Sequence, residues 1–202
     1  MNDANGRPLY LRTTYIADGS PYLYEEYAFA EITSSNGTLY PNVRVKVDLV
    51  DKLVIYITES GDEMIATTPI RQVRFHNFIS SGVAQGAVVL EGSDGSVNSP
   101  GGKIYQVLES GKAKLLKELT VTFSDNKRYG EATVTRVFTR KETYFGLFDG
   151  PPGLKKLERN KSSLVDFFPT MKNEVTAYIE AQKLKCKSEE DLIVVFRYYN
   201  SI

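Results

Sequence analysis

The amino-acid sequence predicts an α+β protein, in which a predominantly antiparallel β-sheet is followed by a C-terminal helical hairpin. Up to about residue 150, short segments rich in β-branched and aromatic residues are separated by turn-forming clusters of Gly, Asn, Asp and Pro. Further on, apolar residues recur at helical spacing. We therefore expect a β-rich domain over residues 1–150 and a helical segment over residues 151–202 that packs on it within a single structural unit.

The strongest strand pattern lies within residues 40–75. Along residues 43–49 apolar and polar side chains alternate, and this period of two is typical of a half-buried strand. One face carries Val43, Val45, Val47 and Leu49, and the other carries Arg44, Lys46 and Asp48. Further strands are predicted over residues 53–58, 64–67 and 70–75, with turns at Asp51-Lys52 and at residues 59–62. These strands predict a meander, and the pattern leaves open whether the sheet is open, strongly curled or barrel-like.

Before the meander, residues 9–16 predict a strand and residues 18–21 a turn. Residues 22–32 fit either a strand or a helix. We favour a strand because the segment is rich in aromatic residues and follows a turn cluster. The dipeptide Asn36-Gly37 predicts a tight turn that leads into the meander.

After the meander, residues 87–91 predict a short strand, and residues 92–102 predict a disordered loop because they offer little to bury. Two hairpins are expected beyond this loop. The first joins residues 103–109 to 113–123 across Ser110-Gly111, and the second joins residues 131–139 to 143–148 around Arg140-Lys141. Residues 149–153, which contain two prolines and two glycines, are predicted to end the β-rich part.

The C-terminal residues predict three helical segments that cover apolar surface. The first is an apolar cluster after Ser162 or Ser163 that Pro169 stops. The second follows Thr170 as its N-cap, and the third begins at Ser188 with Asp191 in a capping-box spacing. The apolar positions of the last two are Val175, Tyr178, Ile179, Leu192, Ile193, Phe196 and Tyr199.

Composition excludes several classes of function. Basic and acidic residues both number 25, so the net charge is zero, which argues against a nucleic-acid partner. No apolar run is long enough for a membrane-spanning segment. No phosphate loop or multi-cysteine site is present, so we predict no cofactor and no metal. Residues 1–7 lack the apolar stretch of a signal peptide, so we expect either a cytoplasmic protein or a mature periplasmic or extracellular form.

Candidate reactive residues are sparse, and we assign no catalytic residue. His76 is the only histidine, and no nucleophile motif accompanies it. Cys186 lies between two lysines that could lower the pKa of its thiol, although a packed turn residue is the simpler interpretation. Acidic clusters occur at Glu25-Glu26, at Asp48 with Asp51, and at residues 189–191. A hydrolase acting through two carboxylates is therefore the alternative function.

The candidate binding residues are Tyr22, Tyr24 and Tyr27. The chain has 13 tyrosines and no tryptophan, and these three recur in one short segment. Exposed tyrosines form amphipathic patches that suit a glycan, a peptide or a protein partner. The alternative is that the three rings pack on a sheet face, which is ordinary for aromatic residues in strands.

Several segments resemble a family of uncharacterised, mostly secreted proteins from Bacteroidota. The resemblance runs from Gly19 onward and rests on residues 19–23 (GSPYL), the strands of residues 43–56, residues 105–118 (YQVLESGKAKLLKE), and the ending SSLVDFFP…EVTAYIEAQKLKCKSEEDLIVVFRYYN. It implies secretion and no particular activity. Together with the missing catalytic signature, it predicts a non-enzymatic, secreted β-rich binding or interaction module of the bacterial envelope, with a protein, a glycan or a small ligand as its partner.

Overall fold

The computed structural model describes residues 7–8, 16–127 and 134–202. It confirms the predicted α+β class, because the chain is mostly antiparallel β-sheet with three C-terminal helices, and the sheet is not closed. The strand predicted over residues 9–16 lies outside the described residues except for its last position. Contacts divide the chain into two compact units: unit 1 comprises residues up to 105 and 119–141, and unit 2 comprises residues 106–118 and 142–202.

Fourteen strands and three helices are described. The strands are β1 (Arg7–Pro8), β2 (Ile16–Asp18), β3 (Ala28–Ser34), β4 (Leu39–Asp48), β5 (Leu53–Ile57), β6 (Glu63–Ile65), β7 (Ile70–Phe75), β8 (Phe78–Ser80), β9 (Val83–Gln85), β10 (Val88–Gly92), β11 (Ile104–Glu109), β12 (Lys114–Asn126), β13 (Thr135–Leu147) and β14 (Leu154–Leu157). The helices are α1 (Lys161–Phe167), α2 (Lys172–Ala181) and α3 (Glu189–Ser201). The strand order is β1-β6-β5-β4-β3-β7-β10-β11-β12-β13-β14, with β2 parallel to β13, and β8 and β9 form a separate hairpin.

The meander of unit 1 is confirmed for three of its four strands. β4 pairs with β5, and β5 pairs with β6, in antiparallel register. In a meander the fourth strand, β7, would lie beside β6. It pairs instead with β3 and β10, so this part of the prediction is wrong. In a flat sheet the four spacings from β6 to β7 would take about 19 Å, whereas the five-residue step from Ile65 to Ile70 spans at most about 18 Å. The sheet of unit 1 is therefore curled.

The alternation along β4 is confirmed. Val43, Val45, Val47 and Leu49 are buried in the core of unit 1. Arg44 lies exposed on the opposite face, and Lys46 is half-buried there. The apolar face of β4 thus points into the core, and its charged face remains available for contacts on the outside of the sheet.

The loop predicted to be disordered is instead packed into unit 1. Val97 is only 1% exposed, and its N–H donates to the carbonyl oxygen of Ile70 at 2.7 Å. The Asn98 amide donates to the carbonyl oxygens of Ala66 (3.1 Å) and Thr68 (3.0 Å) and accepts from the Ile70 N–H at 2.8 Å. One apolar and one amide side chain therefore anchor a loop whose composition alone favours disorder.

The second predicted hairpin is also wrong. Residues 135–147 form one continuous strand, β13, and Arg140-Lys141 lies inside it instead of in a turn. A further short strand, β14, follows the Pro-Gly segment and pairs antiparallel with β13. The first predicted hairpin is confirmed, because β11 and β12 are neighbours. The β8–β9 hairpin was not predicted; Ser81 and Gly82 at its turn have φ values of 48° and 76°, as a type I′ turn requires.

Unit 2 is built around the three helices. Val175, Ile179, Leu192 and Phe196 are buried, as predicted, together with the strand residues Leu115, Tyr144 and Leu157 and with Ala113, which precedes β12. Ser188 caps α3 by accepting from the Asp191 N–H at 3.1 Å, which confirms that start. Asn160 caps α1 by accepting from the Ser163 N–H, so this helix begins at Lys161, before the predicted start after Ser162 or Ser163. Met171 occupies the N-cap of α2, so the prediction of Thr170 as that cap is wrong.

A glycine of β13 allows one of these helices to pack closely. A Cβ atom at Gly146 would lie 2.3 Å from the Phe167 ring of α1. The Phe167 ring itself stacks on Phe148 and Phe196 at centroid distances of 5.0 and 5.5 Å. Only a residue without a side chain fits under this ring.

Candidate ligand-binding face

The tyrosine segment is not a strand over its first half. Residues 22–27 follow bends, with an isolated bridge between Tyr22 and Asp48, and the strand begins at Ala28. The Leu23 N–H donates to the carbonyl oxygen of Val47 at 2.9 Å. The Arg140 guanidinium donates to the carbonyl oxygens of Tyr22 (2.6 Å) and Leu23 (3.0 Å). The Arg140 side chain thus binds carbonyl groups that a neighbouring strand would otherwise use, and it fixes this segment within unit 1.

Tyr24 is separated from the other two predicted residues. Its ring packs edge-on against Phe75 and Phe78, with centroid distances of 6.0 and 4.7 Å. Burial raises the pKa of its hydroxyl, and the Arg140 charge opposes that shift. The contacts of Tyr24 therefore fit the alternative interpretation, in which the tyrosine ring packs on a sheet face.

A β-bulge in β4 decides what lies opposite Tyr27. Near the turn, Ile32 pairs with Tyr40, but beyond the bulge Ala28 pairs with Val45, so the register has shifted by one residue. The extra residue falls at Pro41-Asn42, where Asn42 has a φ of 54° and Pro41 has no N–H to donate. Because a one-residue shift exchanges the faces of a strand, Lys46 and not Val45 lies across from Tyr27.

Lys46 is held between two tyrosine rings. Its Nζ atom lies 4.5 Å from the ring centre of Tyr22 and 4.9 Å from that of Tyr27. Both distances are within the range of a cation–π interaction. Burial, then the hydrogen bond from the Tyr27 hydroxyl to the Glu63 carboxylate and the charge of that carboxylate, raise the pKa of Tyr27. The hydrogen bond to Glu63 fixes the hydroxyl end of this ring, while the face of the ring lies beside the ammonium group.

Phe29 and Arg44 extend this surface. They are directly opposite each other in the β3–β4 pair and lie on the same face as Tyr27 and Lys46. The Phe29 side chain is 56% exposed, and Arg44 is also exposed. The Tyr–Lys face is defined here as the surface formed by Tyr22, Tyr27, Phe29, Arg44 and Lys46.

Neither cation of the Tyr–Lys face forms a close ion pair with a carboxylate of the described residues. Within the part of the chain that the structure describes, no carboxylate lies within 4.0 Å of the Arg44 guanidinium or the Lys46 ammonium. Three carboxylates lie near the face and have other partners. Glu63 accepts from Tyr27, Glu31 lies 4.0 Å from Arg74, and Glu26, which accepts from Ser80 and Ser81, is also influenced by the charge of Lys46. Two positive charges and three aromatic rings are therefore presented together on a sheet.

Comparisons with known proteins name no relative. No family model, no curated protein and no solved structure matches this chain.

The predicted acidic clusters have structural contacts. The Asp48 carboxylate accepts from the N–H groups of Val50 (2.8 Å) and Asp51 (2.9 Å), so it stabilises the β4–β5 turn. Burial raises the pKa of Asp48, and the hydrogen bonds oppose the shift. The Glu26 carboxylate accepts from the Ser80 hydroxyl at 2.8 Å and the Ser81 N–H at 3.2 Å, and these bonds lower its pKa. Across residues 16–127 and 134–202, no three His, Cys, Asp or Glu side chains are grouped as a metal site.

A second polar cluster lies in unit 2. The buried Lys117 ammonium is 2.8 Å from Glu189 and 3.8 Å from Glu142. The Tyr144 hydroxyl donates to Glu189 at 2.9 Å; burial and this bond raise the pKa of Tyr144. A carboxylate-dependent hydrolase needs two carboxyl groups that face open space for a substrate. Here a buried lysine is shared between them, and Glu189 begins α3, which gives the cluster a structural role.

The two remaining candidate reactive residues are His76 and Cys186. His76 is exposed just after β7, and its backbone N–H donates to the carbonyl oxygen of Phe29 at 3.3 Å. Cys186 is buried in the turn before α3, where burial raises the pKa of its thiol. The flanking lysines therefore do not activate it, and the packed-residue interpretation is confirmed.

Tyr22 and Tyr27 are predicted from the sequence as binding residues, whereas the other three residues of the Tyr–Lys face are not. Arg44 and Lys46 are predicted only as polar residues of a half-buried strand, and Phe29 only as part of the segment of residues 22–32. The signal for the bulge was present, because a proline followed by an asparagine interrupts an alternating strand at residues 41–42.

None of the three described helices combines the length and the apolar character needed to cross a membrane.

Proposed function

We propose that this protein is a non-enzymatic β-rich binding module and that the Tyr–Lys face is the surface that contacts its ligand. The observation that carries the proposal is the pair of cations, Arg44 and Lys46, which lie next to three aromatic rings and have no carboxylate of the described residues within 4.0 Å. Charges and rings that are already held by a sheet lose little conformational freedom when a ligand binds.

The contacts of the acidic residues support binding over hydrolysis. Asp48 and Glu26 are engaged by backbone or hydroxyl donors, and Glu189 is engaged by Lys117 and Tyr144. A general acid or a nucleophile must instead approach a substrate in a cleft. The contacts of these three carboxylates therefore give the hydrolase alternative no support.

The experiment that tests the proposed function is a binding panel with matched variants. The immobilised full chain is offered neutral and acidic polysaccharides, acidic and basic peptides, and small aromatic and carboxylate ligands. We expect retention of at least one class and a loss of at least tenfold in the double variant Tyr22→Ala/Tyr27→Ala. Tyr178→Ala, which removes a ring from unit 2, is the matched control and is expected to bind normally.

Two results would contradict the proposal. One is unchanged binding by the folded double variant, because the Tyr–Lys face would then not be the contact surface. The other is the absence of binding across the whole panel. Circular dichroism of each variant verifies that the fold is intact.

A secreted, envelope location is a separate part of the proposal, and the family resemblance from Gly19 onward is its only support. We expect the product of the complete gene, followed by an antibody in its native host, to be found outside the cytoplasm. Recovery in the cytoplasmic fraction alone would remove the location and leave the binding function intact.

A further inference from the structure

We propose that the ligand of the Tyr–Lys face is an acidic polysaccharide, that is, a sugar polymer carrying carboxylate or sulfate groups. This inference rests on the proposed function and specifies its ligand class. The acidic groups would contact Arg44 and Lys46, and the apolar faces of the sugar rings would lie on Phe29 and the tyrosine rings.

The first argument is charge complementarity. Arg44 and Lys46 are two positions apart on β4, so both point to the same face, with their Cα atoms about 7 Å apart. Arg44 offers the planar donor geometry that pairs with a carboxylate or sulfate. Lys46 is half-buried between two rings, where an anion meets a partly desolvated ammonium group of fixed position.

The second argument is the alternation of rings and charges. Phe29 is paired with Arg44, and the Tyr27 ring, just before β3, lies 4.9 Å from the Lys46 ammonium, so each cation has an aromatic neighbour. A simple anion needs no such apolar surface. A polysaccharide presents both anionic groups and apolar C–H faces along one chain, which matches this alternation.

Other macromolecules fit the face less well. A nucleic acid needs several phosphate contacts, whereas the face provides two cations in a chain of zero net charge. The centre of a protein–protein interface is depleted of lysine, whereas Lys46 occupies the centre of this face. These two partner classes therefore become contrasting outcomes of the test.

The test uses two pairs of polymers that differ in charge. Polygalacturonate is compared with its carboxyl-reduced form, and dextran sulfate is compared with dextran, by isothermal titration calorimetry at several salt concentrations. We expect at least one acidic polymer to bind and its neutral counterpart to bind at least tenfold more weakly. Polyglutamate and oligo(dT) are included because they supply charge without the sugar faces, and both are expected to bind at least tenfold more weakly than the acidic polymer.

Variants assign the binding to individual side chains. Arg44→Gln and Lys46→Met are each expected to weaken binding of the acidic polymer about tenfold and to reduce the slope of log K against log salt by about one. Phe29→Ala is expected to weaken binding without changing that slope. Arg71→Gln removes an exposed arginine of β7 outside the face and is expected to leave binding unchanged.

The outcomes separate this inference from the proposed function. Equal binding of a neutral counterpart, or of polyglutamate or oligo(dT), would overturn the acidic polysaccharide as ligand. If none of the four polysaccharides binds but another member of the panel binds through Tyr22 and Tyr27, the inference fails and the proposed function stands. If nothing in the panel binds, both are refuted.

Discussion

Replacement of Asn98 tests how a polar loop is fixed in unit 1. Its amide makes three hydrogen bonds to backbone groups of Ala66, Thr68 and Ile70, and its oxygen also accepts from the Ser96 hydroxyl. Each bond contributes about 1 kcal/mol net. Because the side chain is half-buried, water replaces part of this in Asn98→Ala, and we expect a loss of about 2–3 kcal/mol.

In a chain of this length, that loss corresponds to a decrease in Tm of about 5–10 °C. Asn98→Asp keeps the acceptor for the Ile70 N–H but directs a carboxylate at the carbonyl oxygens of Ala66 and Thr68. This repulsion raises the folded-state pKa of the introduced carboxyl above its unfolded value of about 3.9. The variant is therefore least destabilised below about pH 4, and it loses stability as pH rises through the folded pKa.

The assay is differential scanning calorimetry at pH 3.5 and pH 7, with hydrogen exchange of the Ile70 amide as the local measurement. Asn77→Ala, at an exposed asparagine after β7, is the matched control and is expected to leave Tm unchanged. If Asn98→Ala lowers Tm by no more than this control, or if Ile70 exchange is unchanged, the anchoring role assigned to Asn98 is wrong.

Three further predictions concern stability. Gly146→Ala is expected to destabilise the protein by about 1–3 kcal/mol in urea unfolding because its methyl group overlaps a buried ring, whereas Gly150→Ala, with nothing within 4 Å, is neutral. Asp48→Asn is expected to raise Tm at pH 7 and to have no effect near pH 3. Burial raises the folded-state pKa of the Asp48 carboxyl, so its charged form costs stability only at higher pH. An equal effect of the substitution at both pH values would refute this. Lys117→Met is expected to lower the free energy of unfolding by about 2 kcal/mol. Adding Glu189→Gln should restore part of this loss. If the effects of the two substitutions are strictly additive in the double variant, the pair is not coupled.

The sequence predicts the fold wherever one face of an element is buried and the other is not. The alternation along residues 43–49 located β4 and its two faces, and the helical spacing located Val175, Ile179, Leu192 and Phe196 in a core. In both cases burial imposes a period on the sequence, and that period is visible without knowledge of the partners.

The failures occur where that period disappears. Residues 139–142 of β13 are all exposed, so the strand continues through a polar stretch that resembles a turn. The loop of residues 92–102 is anchored to the strands of unit 1 through Val97 and Asn98, and a few such contacts leave no pattern in a polar sequence. The pairing of β7 with β3 depends on long-range contacts that local propensity does not encode.

The candidate site was predictable only in part, for a related reason. Tyr22 and Tyr27 are conspicuous in the sequence, but their common neighbour Lys46 is about twenty residues away and is brought to them by register. Without the bulge at residues 41–42, Val45 would face Tyr27, and the cation would lie elsewhere. A site assembled across strands requires the register before its residues can be named.

The stacked pair Tyr178 and Tyr198 provides an intrinsic optical probe for unit 2. The rings are nearly parallel, 3° apart in orientation, with centroids separated by 3.9 Å between α2 and α3. Since the chain contains no tryptophan, near-ultraviolet dichroism is not dominated by indole absorption, and coupled phenol transitions at this spacing contribute a distinct band. Subtracting the spectrum of Tyr198→Phe would isolate that band, so the melting of the helical part can be followed without attaching any dye.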